Sequence, residues 1–200
     1  MRRVLVLIFC LLLVGPLWAA QSPRDLVADT TDRIVTKLRA EQDAIKANQG
    51  RLYEIVDEVV LPHFDFEAMS SWVLGKYWRG ADAEQRKRFT AEFKTLLVRT
   101  YAKALNDNYD RKIDILPMRG DASTGDVTIH TEVQQNAGFP IPIDYSMHLK
   151  DGAWKVYDVS VDGVSLVTNY RASFAKEIRA DGLPKLIARL AERNQQAANE

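Results

Sequence analysis

The sequence predicts an α+β fold: a twisted four-stranded antiparallel sheet covered by helices. Three observations carry this expectation. Up to Asn108 the apolar residues recur at spacings of three and four. From Ile113 to Val161 they recur at every second position, and from Ser165 onward the helical spacing returns.

The helices can be read in order. Ser22 caps the first, with Pro23 at its opening position, where a missing N–H costs nothing. Val27, Ile34, Leu38 and Ile45 form its stripe until Asn48-Gln49-Gly50 stops it. Leu52, Ile55, Val56, Val59 and Val60 continue as a second helix, which Pro62 breaks. Asp65 caps a short third helix bearing Phe66, Met69, Trp72 and Val73, with Gly75 beyond its end. Asp82 and Gln85 form a capping box ahead of a long helix striped by Phe89, Phe93, Leu96, Leu97, Tyr101, Ala104 and Leu105.

The strands follow. Ile113 and Ile115 mark the first; Val127, Ile129, Thr131 and Val133 the second; Ile141, Ile143, Tyr145, Met147 and Leu149 the third; Tyr157, Val159 and Val161 the fourth. Lys150-Asp151-Gly152 is a hairpin signal between the last two. Pro140 and Pro142 belong at a strand start or on an edge. One helix from about Ser165 to Ala180 and another after Pro184, with Leu186, Ile187 and Leu190, close the chain. Residues 21–200 therefore read as one domain, helical over 22–108, a sheet over 112–161 and helical again over 165–196.

Residues 1–20 read as a signal peptide: a basic "MRR", the apolar "VLVLIFCLLLV" and a small-residue end at "GPLWAA". The apolar run of eleven residues is short for a bilayer span, which argues against the alternative of a retained anchor. Cys10, the only cysteine, lies in that run, so zinc-thiolate and cysteine chemistry are not expected of the exported chain. Losing Arg2 and Arg3 leaves 25 basic residues against 27 acidic ones, a net charge of −2 that gives no sign of nucleic-acid binding. The "RKR" at 86–88 reads as a solvated helix face, or as a patch for an acidic partner or anionic headgroups.

No short catalytic motif is present, and His63, His130 and His148 are scattered. His130 and His148 share the polar parity of their strands and could be neighbours, as a solvated pair more readily than as a metal site. Asp144 or Asp158 could act as a base on a cavity, with Tyr145 or Tyr157 polarising a carbonyl as in cone-shaped isomerases. Parity sets Asp144 on the face opposite Ile143 and Tyr145, against that use. A concave sheet roofed by helices can enclose a cavity, but periodicity alone does not distinguish a hollow interior from a filled one.

"LPHFDFEAMSSWVLGKYWR" (61–79), "RFTAEFKTLLVRTYAKAL" (88–105) and "WKVYDVSVDGVSLVTNYRASF" (154–174) resemble, in order and spacing, the motifs of the MlaC or toluene-tolerance auxiliary family. The resemblance spans essentially the whole chain. It implies a cone-shaped, NTF2-like cavity between sheet and helices that holds a phospholipid by its acyl chains, headgroup outside. It further implies a monomeric periplasmic carrier without catalysis, metal or cofactor. Such a carrier shuttles its cargo between an outer-membrane lipoprotein complex and an inner-membrane ABC transporter, maintaining outer-membrane lipid asymmetry.

Under this reading the walls comprise inward-parity sheet residues (Ile129, Val133, Ile143, Tyr145, Met147, Tyr157, Val159, Val161) and helix residues facing them. The helix set is Phe66, Met69, Trp72, Leu97, Tyr101 and Leu105 from the first half, with Leu166, Val167, Tyr170 and Phe174 from the last. Asp162-Gly163 would form a turn at the cavity mouth. Two other classes stay open: a cavity enzyme of isomerase type, and a non-catalytic interaction module with a solid core.

Overall fold

The computed structural model describes residues 21–118 and 121–197; the expected signal peptide lies outside them. Among the described residues six α-helices precede the sheet: α1 (Pro23–Ala40), α2 (Gln42–Ala47), α3 (Gly50–Val59), α4 (Phe66–Leu74), α5 (Lys76–Gly80) and α6 (Ala83–Asp107). The strands are β1 (Ile113–Ile115), β2 (Asp126–Val133), β3 (Ile141–Lys150), β4 (Ala153–Val161) and β5 (Val164–Ser165), and α7 (Leu166–Asp181) and α8 (Leu183–Gln196) complete the chain.

Local chemistry explains the boundaries. The Ser22 hydroxyl accepts from Asp25 N–H, and Asp82 and Gln85 cap one another's backbone as the sequence predicts. The single helix expected over 23–47 instead breaks at Glu41 (φ −111°, ψ 16°) into α1 and α2. There the Glu41 carboxylate accepts both Nε and Nη2 of Arg51 at 2.5 and 2.9 Å, tying the bend to α3. Gly75 (φ 54°, ψ −119°) ends α4 and opens the short α5, which the sequence pattern does not announce.

The sheet is an antiparallel meander in the order β1-β2-β3-β4-β5. It has five strands, not the expected four. The added strand, Val164–Ser165, pairs with the end of β4, and its last residue is also the α7 N-cap, so a helix start conceals it in the sequence. Asp151-Gly152 and Asp162-Gly163 both take positive φ at both residues (52° and 78°; 50° and 75°), the twist that two-residue hairpins require.

A β-bulge corrects the expected parity of β4. Met147 lies opposite Val156, yet Ser146 lies opposite Asp158, so Tyr157 is the extra residue. Trp154 and Val156 face inward before it, and Val159 and Val161 after it, while Tyr157 points outward.

Buried apolar residues form three clusters. One joins α4, the first half of α6, α7 and α8 around Phe89, Phe93 and Phe174. A second joins α1, α3 and the later part of α6 around Leu38, Leu52 and Ile55. The third lies on the sheet around Ile129, Met147 and Trp154.

Asp65 ties α4 to the sheet. It is buried, its carboxylate accepts Ala68 N–H at 3.0 Å as N-cap, and it receives Lys150 Nζ at 2.8 Å and approaches His148 Nε2 at 3.1 Å. Burial alone would raise its pKa; the Lys150 and Ala68 hydrogen bonds outweigh it and hold the carboxyl below its ordinary value. A carboxyl lowered on folding contributes stability above its unfolded pKa of about 4 and loses it as pH falls through the folded value. Asp65→Ala should therefore cost about 1–3 kcal/mol in urea unfolding at pH 7. The difference from wild type should shrink in acid, below the folded pKa of Asp65.

Candidate functional site

The three apolar clusters meet around a cavity of about 510 Å³. Its floor is the inner sheet face: Val133 of β2, Ile141, Ile143, Tyr145 and Met147 of β3, and Val156, Val159 and Val161 of β4. The roof is α6, which presents Leu97, Val98, Tyr101, Ala102, Ala104 and Leu105 along one face. Leu26 to Ile34 of α1, Val56 of α3, the turn from Val60 to Phe64, Phe66 and Met69 of α4, and Leu166 of α7 form the sides.

Among the described residues the lining is apolar and carries no Asp, Glu, Lys or Arg. Its titratable groups are His63, Tyr101 and Tyr145. Burial lowers the His63 pKa, and Lys155 and Arg33 lower it further, so the imidazole is neutral at pH 7. Tyr101 is pushed up to about 12 by burial and by neighbouring Tyr170, and burial raises Tyr145 despite its hydrogen bond with Thr131. The wall is therefore uncharged at pH 7. Thr30, Thr31, Asn108 and Gln135 add neutral polar groups. Among the lining residues Ala104 and Ile141 are exposed and Tyr101 is partly so, at 36%, which sets an opening where the end of α6 meets the β2–β3 loop.

Of the residues the sequence assigns to the walls, Phe66, Met69, Leu97, Tyr101, Leu105, Val133, Ile143, Tyr145, Met147, Val159, Val161 and Leu166 surround this cavity. The rest do not. Ile129 has the right parity and lies opposite the lining residue Tyr145, but it is fully buried in the sheet cluster and does not reach the cavity wall. Tyr157 leaves through the bulge; its hydroxyl donates to Asp126 at 3.1 Å and its ring lies 5.1 Å from that of Trp72, which is 52% exposed. Val167, Tyr170 and Phe174 face the helical cluster, where Tyr170 and Phe174 pack edge-on against Phe93. Asp162 and Gly163 do not line the cavity, though Val161 and Leu166 on either side of their turn do. The α1, α3 and Leu61–Phe64 contributions are absent from the sequence assignment, because their stripes look like those of any packed helix.

Polar groups that could have served chemistry lie outside. Asp144 is paired at 2.8 Å with His130 on the far sheet face. Asp158 accepts Val159 N–H, Val167 N–H and the Ser165 hydroxyl, seating the start of α7. His130 and His148 are not neighbours, since His130 lies opposite Asp144 and His148 opposite Asp126. Among the described residues no group of three His, Cys, Asp or Glu could hold a metal ion. Of "RKR", Arg86 bends back onto Trp78, with Nε 3.0 Å from its carbonyl and the guanidinium 5.4 Å from its ring, while Lys87 and Arg88 are exposed.

A helix-roofed antiparallel sheet around a deep uncharged cavity defines a binding protein for an apolar or amphipathic ligand. Comparison with known proteins gives the family. The MlaC protein family model matches residues 28–192, and the chain belongs to that family. Toluene tolerance protein ttg2D of Pseudomonas putida is 31% identical over 165 residues, 82% of this chain and 76% of that protein. The intermembrane phospholipid transport system binding protein MlaC of Haemophilus influenzae is 30% identical over 185 residues, 91% of this chain and 85% of its own. Among solved structures, the phospholipid-binding protein of Ralstonia solanacearum, in complex with a phospholipid, superposes with a TM-score of 0.82. It is 30% identical, and the match covers 89% of this chain and 99% of that one.

Ile143→Trp, which projects an indole into the cavity from mid-floor, should weaken binding of the apolar dye N-phenyl-1-naphthylamine by roughly tenfold or more, ~1.4 kcal/mol per factor of ten. Fluorescence titration measures this. Far-UV circular dichroism should be unchanged.

Proposed function

We propose that this chain is a periplasmic phospholipid carrier that holds acyl chains in the cavity and leaves the headgroup at its opening. The observation that carries the reading is the uncharged apolar wall, in a family whose Ralstonia solanacearum relative is described in complex with a phospholipid. Two acyl chains contain about 30 methylenes, and at roughly 0.8 kcal/mol each their removal from water is worth ~24 kcal/mol gross. That exceeds the practical ceiling of about 18–21 kcal/mol for non-covalent affinity, so release into water is negligible. Exchange has to be direct, between the cavity and another apolar environment.

A bilayer shelters the same chains equally well, so the carrier alone sets no direction. In this reading the donor and acceptor are an outer-membrane lipoprotein complex and an inner-membrane ABC transporter, and net movement draws on the partner's energy source. The carrier works as a monomer, without cofactor, and its cavity is of the cone-shaped, NTF2-like kind. Catalysis is not part of the reading: the relatives are named for phospholipid binding and transport, and Asp144 and Asp158 lie off the cavity wall. No described helix is long and apolar enough to cross a membrane, in keeping with a carrier that moves between membranes.

Native mass spectrometry of gently purified protein tests the proposal. A mass increment that organic extraction releases as diacyl phospholipid is expected, and its occupancy should fall in Ile143→Trp. Repeated recovery of ligand-free protein would overturn it.

A further inference from the structure

The β2–β3 loop is built from both sides by the cavity. Val133, Gln135 and Ile141 line the wall, and Val133 and Ile141 lie opposite one another in register at the base of the loop. Phe139, on the arm of the loop that leads into β3, is 92% exposed, and Ile141, two residues on, is 37% exposed. The β4–β5 turn adjoins this loop, with Asp162 N–H donating to Pro142 O at 2.9 Å. That turn carries Val164, 55% exposed, between the wall residues Val161 and Leu166. Tyr101 and Ala104 of α6 complete the margin.

The composition of this margin is unusual for the chain. Residues 133–143, "VQQNAGFPIPI", contain no charged side chain, in a protein whose residues are 27% charged. In the adjoining turn, residues 161–165, Asp162 is the single charge. An exposed phenylalanine in an uncharged, proline-bounded loop loses little by leaving water and desolvates no ion. The exposed Phe139 stands two residues before Ile141, which lines the cavity.

We propose that this margin, through the exposed side chains of Phe139 and Val164, docks on the lipid surface of a bilayer. It inserts to the level where headgroups meet acyl chains, so that the cavity opening is pressed against the hydrocarbon. The proposal rests on the carrier reading for its purpose and adds the surface by which transfer stays dry. Each methylene that crosses water adds ~0.8 kcal/mol to the barrier, and a continuous apolar path removes that crossing. The insertion is driven by apolar burial, not by charge attraction, so it is insensitive to salt and does not require anionic lipid.

Flotation with phosphatidylcholine vesicles, with and without phosphatidylglycerol, tests this directly. The wild type should co-float on both, with little change on adding salt. Phe139→Asp should lower the bound fraction by roughly tenfold or more. Phe139→Trp should show emission quenching by phosphatidylcholine brominated high on the acyl chain, beyond that of the wild-type tryptophans. Absence of flotation and of that extra quenching overturns the proposal and leaves the margin as a contact for a protein partner. Flotation only on anionic vesicles, abolished by salt or by Lys87→Glu with Arg88→Glu, overturns it in favour of the basic helix face. The two proposals fail separately. Lipid-loaded wild type that does not float sinks the docking margin alone, and floating protein that never carries lipid sinks the carrier reading alone.

Discussion

The inner face of the sheet has to be kept from water, and in this protein the helices that do so stand off from it. Residues of β2, β3 and β4 present Val133, Ile143, Tyr145, Val159 and Val161 to the same side, and α6 presents Leu97, Tyr101 and Leu105 across the gap. Contact between helices and sheet is concentrated at the sides, where α1 meets β2 and where α4 and α7 meet β4. The long helix is held over the space by other helices, α3, α4 and α8, rather than by the strands. A solid core cannot form under those conditions. The apolar residues divide into three clusters, and the cavity occupies their junction. In an otherwise filled interior a dry void of 510 Å³ would cost on the order of 10 kcal/mol, comparable with the whole stability of a domain. An occupant that brings its own methylenes supplies the missing dispersion contacts, so ligand and fold support one another.

The shape of the floor depends on one residue too many. With Tyr157 inserted, β4 turns Trp154 inward at the packed end and Val156, Val159 and Val161 inward along the cavity. A bulge also bends and twists the strand that carries it, which suits a sheet that must wrap around a ligand. The displaced tyrosine is not idle. Its ring lies between Trp72 of α4 and His148 of β3, at 5.1 and 5.3 Å, and His148 in turn reaches Asp65 at the start of α4. The departure from regular pairing that shapes the wall therefore also clamps α4 to the sheet margin from outside.

Much of this was legible in the sequence. Capping residues Ser22, Asp65 and Asp82 state their helices outright, because a side-chain acceptor next to an apolar stripe has few other uses. Asp151-Gly152 fixes a hairpin by the positive φ that both residues tolerate. The assigned residues that lie off the cavity do so for physical causes of three kinds. Tyr157 continues the alternation of Val159 and Val161 perfectly, so a bulge between two correct parities leaves no trace in periodicity. Ile129 and Val133 share a strand face, and parity does not say which of the two is core and which is wall. Tyr170 and Phe174 sit on a true apolar stripe, but α7 turns that stripe toward Phe89 and Phe93 instead of the sheet. An amphipathic pattern says that a face is hidden and is silent about what hides it.

The electrostatics of the wall bear on what the cavity can select. With His63 held neutral and both lining tyrosines kept protonated well above neutrality, nothing inside offers a charge to a ligand. Apolar burial depends on area and not on headgroup, so acyl length and number govern how well a ligand fits the interior. In the proposed carrier a headgroup would sit at the opening, where Tyr101, Asn108 and Gln135 supply neutral donors and acceptors. Neutral groups facing water discriminate weakly among charged headgroups, because each hydrogen bond replaces one that water already provides. The interior therefore makes the carrier retentive without making it selective, and any sorting among headgroups falls to the surface that delivers or accepts the cargo.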